Sequence, residues 1–106
     1  MLAYIYHLTN IINNKKYVGK TINLQHRLED HFSRLNSHKH HSHKLQRAVD
    51  KYGIENFKIS YREVEVANEQ ELNLLEIQEI EKYNSYFEGY NETLGGDGNS
   101  SLFDFE

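Results

Sequence analysis

Two tyrosines, an arginine and a histidine near the start of the sequence have side chains that can act together on a phosphate ester. Tyr6 and Tyr17 carry phenol hydroxyls, Arg27 carries a guanidinium and His31 carries an imidazole. A guanidinium can neutralise charge on phosphate oxygens, and a phenol or an imidazole can transfer a proton. We therefore interpret residues 4–31 as a candidate site for phosphodiester cleavage. The alternative is that the tyrosines are packing residues of a hairpin and that Arg27 is a solvated helix residue.

A β-hairpin is predicted to bring the two tyrosines together. Residues 4–8 are typical of a half-buried strand, whose side chains alternate between two faces, and residues 16–19 return as a second strand after an asparagine-rich turn. A hairpin of this kind sets Tyr6 and Tyr17 side by side, with both hydroxyls pointing the same way. Gly19 has no side chain, which leaves room for another group to approach the strand.

A helix is predicted to carry the arginine and the histidine. Asn23 is the candidate N-cap, and the helix is expected to run to about Leu35. Arg27 and His31 are four residues apart, so they lie one turn from each other at the edge of the buried side. The buried stripe itself has helical spacing and consists of Leu24, Leu28, Phe32 and Leu35.

The remaining elements follow from helix caps and from alternation. A second helix is expected between an N-cap at Ser42 and a terminating Gly53. A third strand is expected over residues 57–66, and a third helix begins after Asn68 in a capping box and runs to about Tyr83. These elements predict a small α/β domain of the α+β type, with the order β-β-α-α-β-α.

Glu76 is unusual because it falls on the apolar side of the predicted third helix. A carboxylate among apolar neighbours costs several kcal/mol unless it is paired or binds a metal. Two interpretations stay open, a salt bridge to Arg27 or to a lysine, and a metal ligand. The apolar side is formed by Leu72, Leu75, Ile80 and Tyr83.

The distribution of charge is more informative than the net charge of −4. Residues 1–58 hold ten Lys or Arg residues against four Asp or Glu residues, and they contain all seven histidines. Residues 59–106 hold two basic residues against twelve acidic ones. The pattern indicates a basic face, which carries the Tyr/Arg/His group, and an acidic back. Contacts between basic residues and phosphates dominate affinity for DNA. Because the net charge of the isolated chain is negative, we expect it to bind DNA weakly.

The composition also excludes several classes of protein. The 106 residues suffice for one domain, and the absence of cysteine excludes disulfides and thiolate metal sites. No apolar run approaches the length of a membrane span, and no signal peptide opens the chain. These features predict a cytoplasmic protein without a membrane partner.

Two motif-like segments are set aside. The run Gly19-Lys20-Thr21 lacks the earlier glycine of a phosphate-binding P-loop, because Asn14 occupies that position. A histidine-rich segment lies in a predicted linker without a second pair of metal ligands, so its members are interpreted as surface histidines. One of them, His40, can still help to contact phosphate. The members are His38, His40, His41 and His43.

The ordered set of motifs resembles the GIY-YIG nuclease family. The resemblance is especially close to the catalytic domains of phage and intron-encoded homing endonucleases, and it covers about residues 3–98. Tyr4 stands where the first motif usually has glycine, and Val18 replaces the isoleucine of the second. The matching positions are, in order, Tyr4-Ile5-Tyr6, Tyr17-Val18-Gly19, Arg27, His31, Glu76 and Gly89-Tyr90-Asn91.

The resemblance implies a three-stranded antiparallel sheet flanked by helices, in a nuclease domain over residues 1–98 with a C-terminal tail over residues 99–106. It also implies a metal-dependent DNA endonuclease that uses Mg²⁺ or Mn²⁺, held by Glu76. The alternatives are a relative that binds nucleic acid without cleaving it and an unrelated protein-interaction module. The implied catalytic residues are Tyr6, Tyr17, Arg27, His31, His40 and Glu76, and the expected substrate contacts are Gly19, Lys20, Lys44, Arg47 and Asn91.

Further expectations concern partners and setting. DNA is the expected partner, and the chain is expected to be a monomer. A DNA-binding region beyond this chain is expected to supply sequence recognition. The expected setting is the cytoplasm of a bacterium or of a phage-infected host cell.

Overall fold

A three-stranded antiparallel sheet flanked by three helices forms the structure, a computed structural model that describes residues 1–96. The strands are β1 Leu2–Asn10, β2 Lys16–Thr21 and β3 Phe57–Glu65, and the helices are α1 Leu24–Asn36, α2 His43–Tyr52 and α3 Glu69–Tyr83. The strand order in the sheet is β2-β1-β3, and the chain runs β1, β2, α1, α2, β3, α3. The predicted α+β class and the predicted element order are therefore confirmed.

Two predictions concern the chain as a whole. The predicted domain boundary at residue 98 and the predicted tail over residues 99–106 lie outside the described residues. Among residues 1–96, no helix has both the length and the apolar character needed to cross a bilayer.

Side-chain caps fix where the helices begin, as the sequence predicts. The side chain of Asn23 accepts a hydrogen bond from the backbone N–H of His26 at the start of α1. Ser42 and Asn68 cap α2 and α3 in the same way. Each cap satisfies a backbone N–H that has no partner within the helix. Gly53 ends α2 with a φ of +92°, a conformation that residues with a side chain rarely adopt.

The register of β1 against β2 decides which side chains share a face of the sheet. Tyr6 lies opposite Gly19, and Leu8 lies opposite Tyr17. Because side chains alternate along a strand, Tyr6 and Tyr17 lie on the same face as diagonal neighbours, while Lys20 lies on the other face. The predicted hairpin is present, but Tyr17 lies opposite Leu8 and not opposite Tyr6, so the two tyrosines are offset by two residues along the strands.

Each face of the sheet is covered by helices and has its own apolar core. Helices α1 and α2 cover the face that carries both tyrosines, where the predicted stripe of α1 packs together with Leu45 and Val49 of α2. Helix α3 covers the opposite face, where Leu72 and Ile80 pack against Ile5 of β1. The two cores hold β1 and β2 between helix layers, so that side chains on either face of β2 have fixed positions.

Tyr83 is the exception to the predicted apolar side of α3. It is 40% exposed, so the prediction that it belongs to the buried stripe is wrong. Tyr83 is the last residue of α3, and its ring lies edge-on to His7. The ammonium groups of Lys16 and Lys82 lie over the ring, 5.4 and 5.3 Å from its centroid. Polar and charged neighbours therefore hold the ring at the surface.

The outer edge of β2 is covered by the segment that follows α3. The N–H of Tyr90 donates to the carbonyl of Lys16 at 2.9 Å. The Asn91 side chain makes two hydrogen bonds of 2.8 Å with the backbone of Val18, accepting from its N–H and donating to its carbonyl. These bonds satisfy groups that an edge strand otherwise leaves unpaired.

Candidate active site

A buried chain of hydrogen bonds joins the first tyrosine of the hairpin to the segment before α2. Tyr6 Oη lies 2.6 Å from Nε2 of His31, and Nδ1 of His31 lies 2.6 Å from Nε2 of His40. The backbone N–H of Ser42 donates to Nδ1 of His40 at 3.0 Å. Tyr6 and His31 are shielded from solvent, with exposures of 1% and 0%. Strand β1, helix α1 and the α1–α2 connection thus converge on one set of polar atoms.

Contacts between aromatic rings add Tyr17 and His41 to this group of residues. The rings of His31 and His40 lie edge to edge and nearly parallel, with centroids 4.9 Å apart, and His40 stacks on His41 at 4.3 Å. Tyr17 lies edge-on to His31 with a centroid distance of 5.3 Å, and its hydroxyl is 3.1 Å from Nε2 of His41. The two tyrosines and the three histidines form one cluster, which we call the Tyr/His cluster.

The sequence predicts surface positions for the histidine-rich segment, and for His40 that prediction is wrong. His40 is 4% exposed, and its backbone N–H donates to Oε1 of Gln46 at 3.1 Å. Gln46 in turn donates to the carbonyl of Leu35 at 3.1 Å. A polar side chain of α2 therefore folds the α1–α2 connection back over the sheet. His41 is not among the predicted site residues, and its signal in the sequence is its place in the histidine-rich segment, next to His40.

The neutral form is favoured at all three clustered histidines, because each has a lowered pKa. Burial lowers the pKa of His31 well below its usual value and lowers the pKa of His40 to about 3. The pKa of His41 is also lowered, mainly by burial. The positive charge of Arg27 contributes to the lowering at all three rings. The guanidinium therefore lies within electrostatic reach of the cluster.

Arg27 approaches the cluster from the first turn of α1. Its Nη1 donates to Oδ2 of Asp30 at 3.1 Å, and the same carboxylate accepts hydrogen bonds from Nε of Arg34. The Arg27 side chain is only 14% exposed. A planar donor group is thus held beside neutral imidazoles, where water screens its charge less than at an open surface.

The space above Gly19 is filled by Tyr6. A Cβ atom at position 19 would overlap Cζ and Oη of Tyr6 and would lie 2.8 Å from Cε1. Glycine is therefore required here if the Tyr6 ring is to lie across the neighbouring strand and reach His31. The group that approaches the strand at Gly19 is a residue of the same chain.

Glu76 belongs to a second group of polar atoms, on the face of β2 opposite the tyrosines. Its Oε1 accepts hydrogen bonds from Nζ of Lys20 at 2.8 Å and from the backbone N–H of Gly96 at 2.9 Å. The Lys20 side chain is almost completely buried. Of the two interpretations that the sequence leaves open for Glu76, a salt bridge to a lysine is therefore present. The ammonium of Lys20 is therefore held by Glu76 in the fold, at the position where the sequence predicts a contact with phosphate.

The Glu76 carboxylate fits a hard divalent cation. Both of its hydrogen bonds end on Oε1, so Oε2 has no protein partner within residues 1–96. The same part of the chain contains no group of three His, Cys, Asp or Glu side chains placed to hold a metal. A cation here would have one carboxylate ligand and would complete its shell with water and phosphate oxygens. Mg²⁺ is commonly bound in this way, and Mn²⁺ accepts the same oxygen ligands.

The other predicted substrate contacts differ in their surroundings. Nζ of Lys44 donates to the carbonyl oxygens of Tyr86 at 2.7 Å and of Asn91 at 3.2 Å. Asn91 is buried against the edge of β2, whereas Arg47 is exposed on α2. The structure thus brings together Tyr6, Tyr17, His31 and His40, with Arg27 nearby, and it places Glu76 with Lys20 on the other face of β2.

Comparison with known protein families identifies the relatives of this fold. The profile of the GIY-YIG catalytic domain matches residues 2–91, a range that includes every predicted site residue. The chain belongs to the GIY-YIG family. The family membership predicted from the ordered motifs is therefore confirmed, although Tyr4 replaces the glycine of the first motif.

Two kinds of relative agree with this GIY-YIG assignment. Over 93 residues the chain is 38% identical to intron-associated endonuclease 1 of Enterobacteria phage T4, a match that covers 86% of this chain and 37% of that protein. The solved catalytic domain of homing endonuclease I-TevI matches with a TM-score of 0.80 at 33% identity, over 86% of this chain and 98% of that one. A mutant of that domain matches with a TM-score of 0.79 at 33% identity, over 88% and 95% of the two chains. The chain spans about two fifths of the length of the curated relatives that it matches.

Proposed function

We propose that this GIY-YIG domain cleaves phosphodiester bonds in DNA with the help of a divalent cation. The observation that carries the proposal is the buried 2.6 Å contact between Tyr6 Oη and His31 Nε2, with the Arg27 guanidinium close by. A phenol oxygen, a neutral imidazole and a fixed positive charge can activate water and stabilise charge on a phosphate. The name of the phage relative, an endonuclease, supports the same activity.

Tyr6 is the proposed proton acceptor. In its deprotonated form, Oη takes one proton from a water molecule, and the resulting hydroxide attacks phosphorus. The bond between phosphorus and the 3′ oxygen then breaks, and that oxygen takes a proton from solvent. Arg27 donates to the non-bridging oxygens, where negative charge accumulates during the attack. Tyr17 packs against His31 and keeps its ring directed at Tyr6.

Glu76 is the proposed ligand of Mg²⁺ or Mn²⁺. When bound, such a cation polarises the scissile phosphate and stabilises charge on the leaving oxygen. The ammonium of Lys20 compensates the carboxylate charge that burial would otherwise leave unpaired in the protein alone. Glu76 and the Tyr/His cluster lie on opposite faces of β2, and we propose that the substrate phosphate binds at the end of that strand, between the two groups.

The proposed contacts with DNA are few and lie away from the buried atoms. Arg47 is exposed on α2, and both Arg47 and Lys44 lie in the N-terminal half of that helix. Both positions belong to the basic first half of the chain, which favours phosphate binding. We propose that sequence selectivity comes from a region outside this chain, because the phage relative extends well beyond the match. The proposed setting is a monomer in a bacterial or phage-infected cell.

A plasmid-nicking assay with Mg²⁺ tests the proposal. Glu76→Gln preserves the size of the side chain and removes its charge, so we expect cleavage to be abolished. Glu79→Gln is the matched control, because Glu79 is a buried carboxylate on the same helix that pairs with His7 and Arg62 instead. We expect Glu79→Gln to cleave at a rate within a few fold of the wild type.

Folding is measured for both variants, by circular dichroism and thermal unfolding, so that loss of structure is distinguished from loss of activity. Cleavage by Glu76→Gln at a rate comparable to the wild type would show that Glu76 is not the ligand. A wild-type chain that binds DNA but leaves plasmid intact with both Mg²⁺ and Mn²⁺ would identify a non-cleaving relative that only binds nucleic acid.

A further inference from the structure

The hydrogen bonds that link Ser42, His40, His31 and Tyr6 share one direction of donation, and the first donor is a backbone N–H. The N–H of Ser42 donates to Nδ1 of His40 at 3.0 Å. A backbone N–H cannot accept a hydrogen bond, so Nδ1 of His40 carries no proton. A neutral imidazole has a single N–H, and in His40 that proton is therefore on Nε2.

The same direction of hydrogen-bond donation continues from His40 to His31. Nε2 of His40 lies 2.6 Å from Nδ1 of His31, so His31 accepts at Nδ1 and carries its own proton on Nε2. Nε2 of His31 lies 2.6 Å from Oη of Tyr6. The phenol oxygen therefore stands at the accepting end of the chain.

We propose that the Ser42 N–H, His40 and His31 form a one-way series of donors that fixes Tyr6 Oη as a hydrogen-bond acceptor. His31 then does not remove a proton from Tyr6. It donates to the phenol oxygen and stabilises negative charge there. In cleavage, where this role rests on the proposed function, Tyr6 is the group that meets water, and His40 and Ser42 are positioning residues.

The first donor of the series is held rigidly. Ser42 is the N-cap of α2, and its Oγ accepts from the N–H of Leu45 at 3.2 Å. The same hydroxyl donates to the carbonyl of Tyr90 at 2.7 Å, in the segment that covers the edge of β2. The backbone of Ser42 is thus fixed between a helix end and the sheet edge, with its N–H directed at His40.

The reverse arrangement, in which Tyr6 donates to His31 and His31 donates to His40, is unfavourable. A proton on Nδ1 of His40 would face the N–H of Ser42, so that two donors would meet in a buried site. An imidazolium at either ring would lie beside another histidine and near the positive charge of Arg27. Burial acts in the same sense, because it lowers the pKa of both His31 and His40. The two rings are nearly parallel, at 18° to each other, so Nε2 of His40 and Nδ1 of His31 face each other edge to edge.

Long-range ¹H–¹⁵N correlation NMR on the wild-type chain at pH 7 measures the tautomer of each histidine. We expect the Nε2–H form alone for His31 and for His40. The exposed His26 is the internal control, and we expect it to show the average of both tautomers. A proton on Nδ1, or an imidazolium, at either buried ring overturns the proposal. The measurement uses neither DNA nor metal, so its outcome is independent of whether the chain proves to be a nuclease.

A variant then tests whether His40 sets the tautomer of His31. His40→Phe retains an aromatic ring against His31 and removes the donor to Nδ1, so we expect His31 to show a mixture of both tautomers. His43→Phe is the matched control at an exposed position of the same segment, and we expect the wild-type pattern there. A pure Nε2–H form of His31 in His40→Phe would overturn the role of His40. If that variant fails to fold, the wild-type measurement decides.

Discussion

Mild acid is expected to destabilise this fold through the buried histidines of the Tyr/His cluster. Burial lowers the pKa of His40 to about 3 and that of His31 well below its usual value. In the unfolded chain both rings return to an ordinary pKa of about 6.5. Between these values the unfolded state binds more protons than the folded state, so the free energy of unfolding falls as the pH falls.

The size of the effect follows from the shift. Each ring that stays neutral in the fold costs about 1.4 kcal/mol for every pH unit below about 6.5. Between pH 7 and pH 5 that amounts to about 2 kcal/mol for His40, and His31 adds to the loss in the same direction. The free energy of unfolding of a small domain is roughly 5–15 kcal/mol, so this is a large part of it.

Three other groups with shifted pKa values, His41, His7 and Glu79, either add to the loss or contribute little in this pH range. Burial lowers the pKa of His41 and of His7, which adds to the loss in the same direction. Burial raises the pKa of Glu79, but its hydrogen bonds from His7 and Arg62 outweigh this and lower it overall. A depressed carboxylate loses its contribution only below its usual range, so Glu79 adds little between pH 7 and pH 5.

Urea unfolding followed by circular dichroism at pH 7 and at pH 5 measures the effect. We expect the loss on acidification to be smaller by about 2 kcal/mol in His40→Gln than in the wild type, because one neutral ring has been removed. His26→Gln is the control at an exposed position and should lose as much as the wild type. A wild-type loss below about 1 kcal/mol, or equal losses in His40→Gln and the wild type, would refute the reasoning.

Three further predictions concern the site and its partner. Gly19→Ala should lose about 1–3 kcal/mol in urea unfolding, because its Cβ would overlap Tyr6, and an unchanged stability would show that the ring can move. Arg27→Lys should slow plasmid cleavage by roughly 10²-fold, because an ammonium cannot span two phosphate oxygens, and a loss under about threefold would show that Arg27 only lies nearby. In titrations with Ca²⁺ in place of Mg²⁺, the chain should bind unrelated duplexes weakly and lose affinity with salt, and selective nanomolar binding would contradict this.

The ends of the elements were predictable because capping is local chemistry. The side chains of Asn23, Ser42 and Asn68 each accept from the N–H three residues later, and such a contact depends on few distant groups. The pairing of β1 with β2 was predictable for the same reason, since a short turn fixes which strands meet. The diagonal placement of Tyr6 and Tyr17 was not, because one residue of turn length changes the register.

The environment of the histidines could not be predicted from composition. A polar linker is usually exposed, and the burial of His40 depends on Gln46 reaching back from the next helix to its backbone N–H. Neither residue is apolar, so no hydrophobic pattern marks the contact. The neutrality of the Tyr/His cluster likewise depends on how α1, α2 and β1 meet, which is a property of the tertiary structure.

The two interpretations of Glu76 that the sequence leaves open, a salt bridge and a metal ligand, are chemically compatible. A buried carboxylate without a partner is costly, and the Lys20 ammonium removes that cost in the protein alone. The salt bridge and the hydrogen bond from Gly96 both end on Oε1, which leaves Oε2 for another oxygen-seeking partner within the described residues. A hard cation binds the charged form of the carboxylate, and a salt bridge stabilises that same form. A lysine partner in the fold is therefore compatible with the proposed metal ligand. Glu76→Gln removes the charge on which both the ion pair and metal binding depend, so thermal unfolding reports the loss of the ion pair and plasmid cleavage reports the loss of the metal ligand.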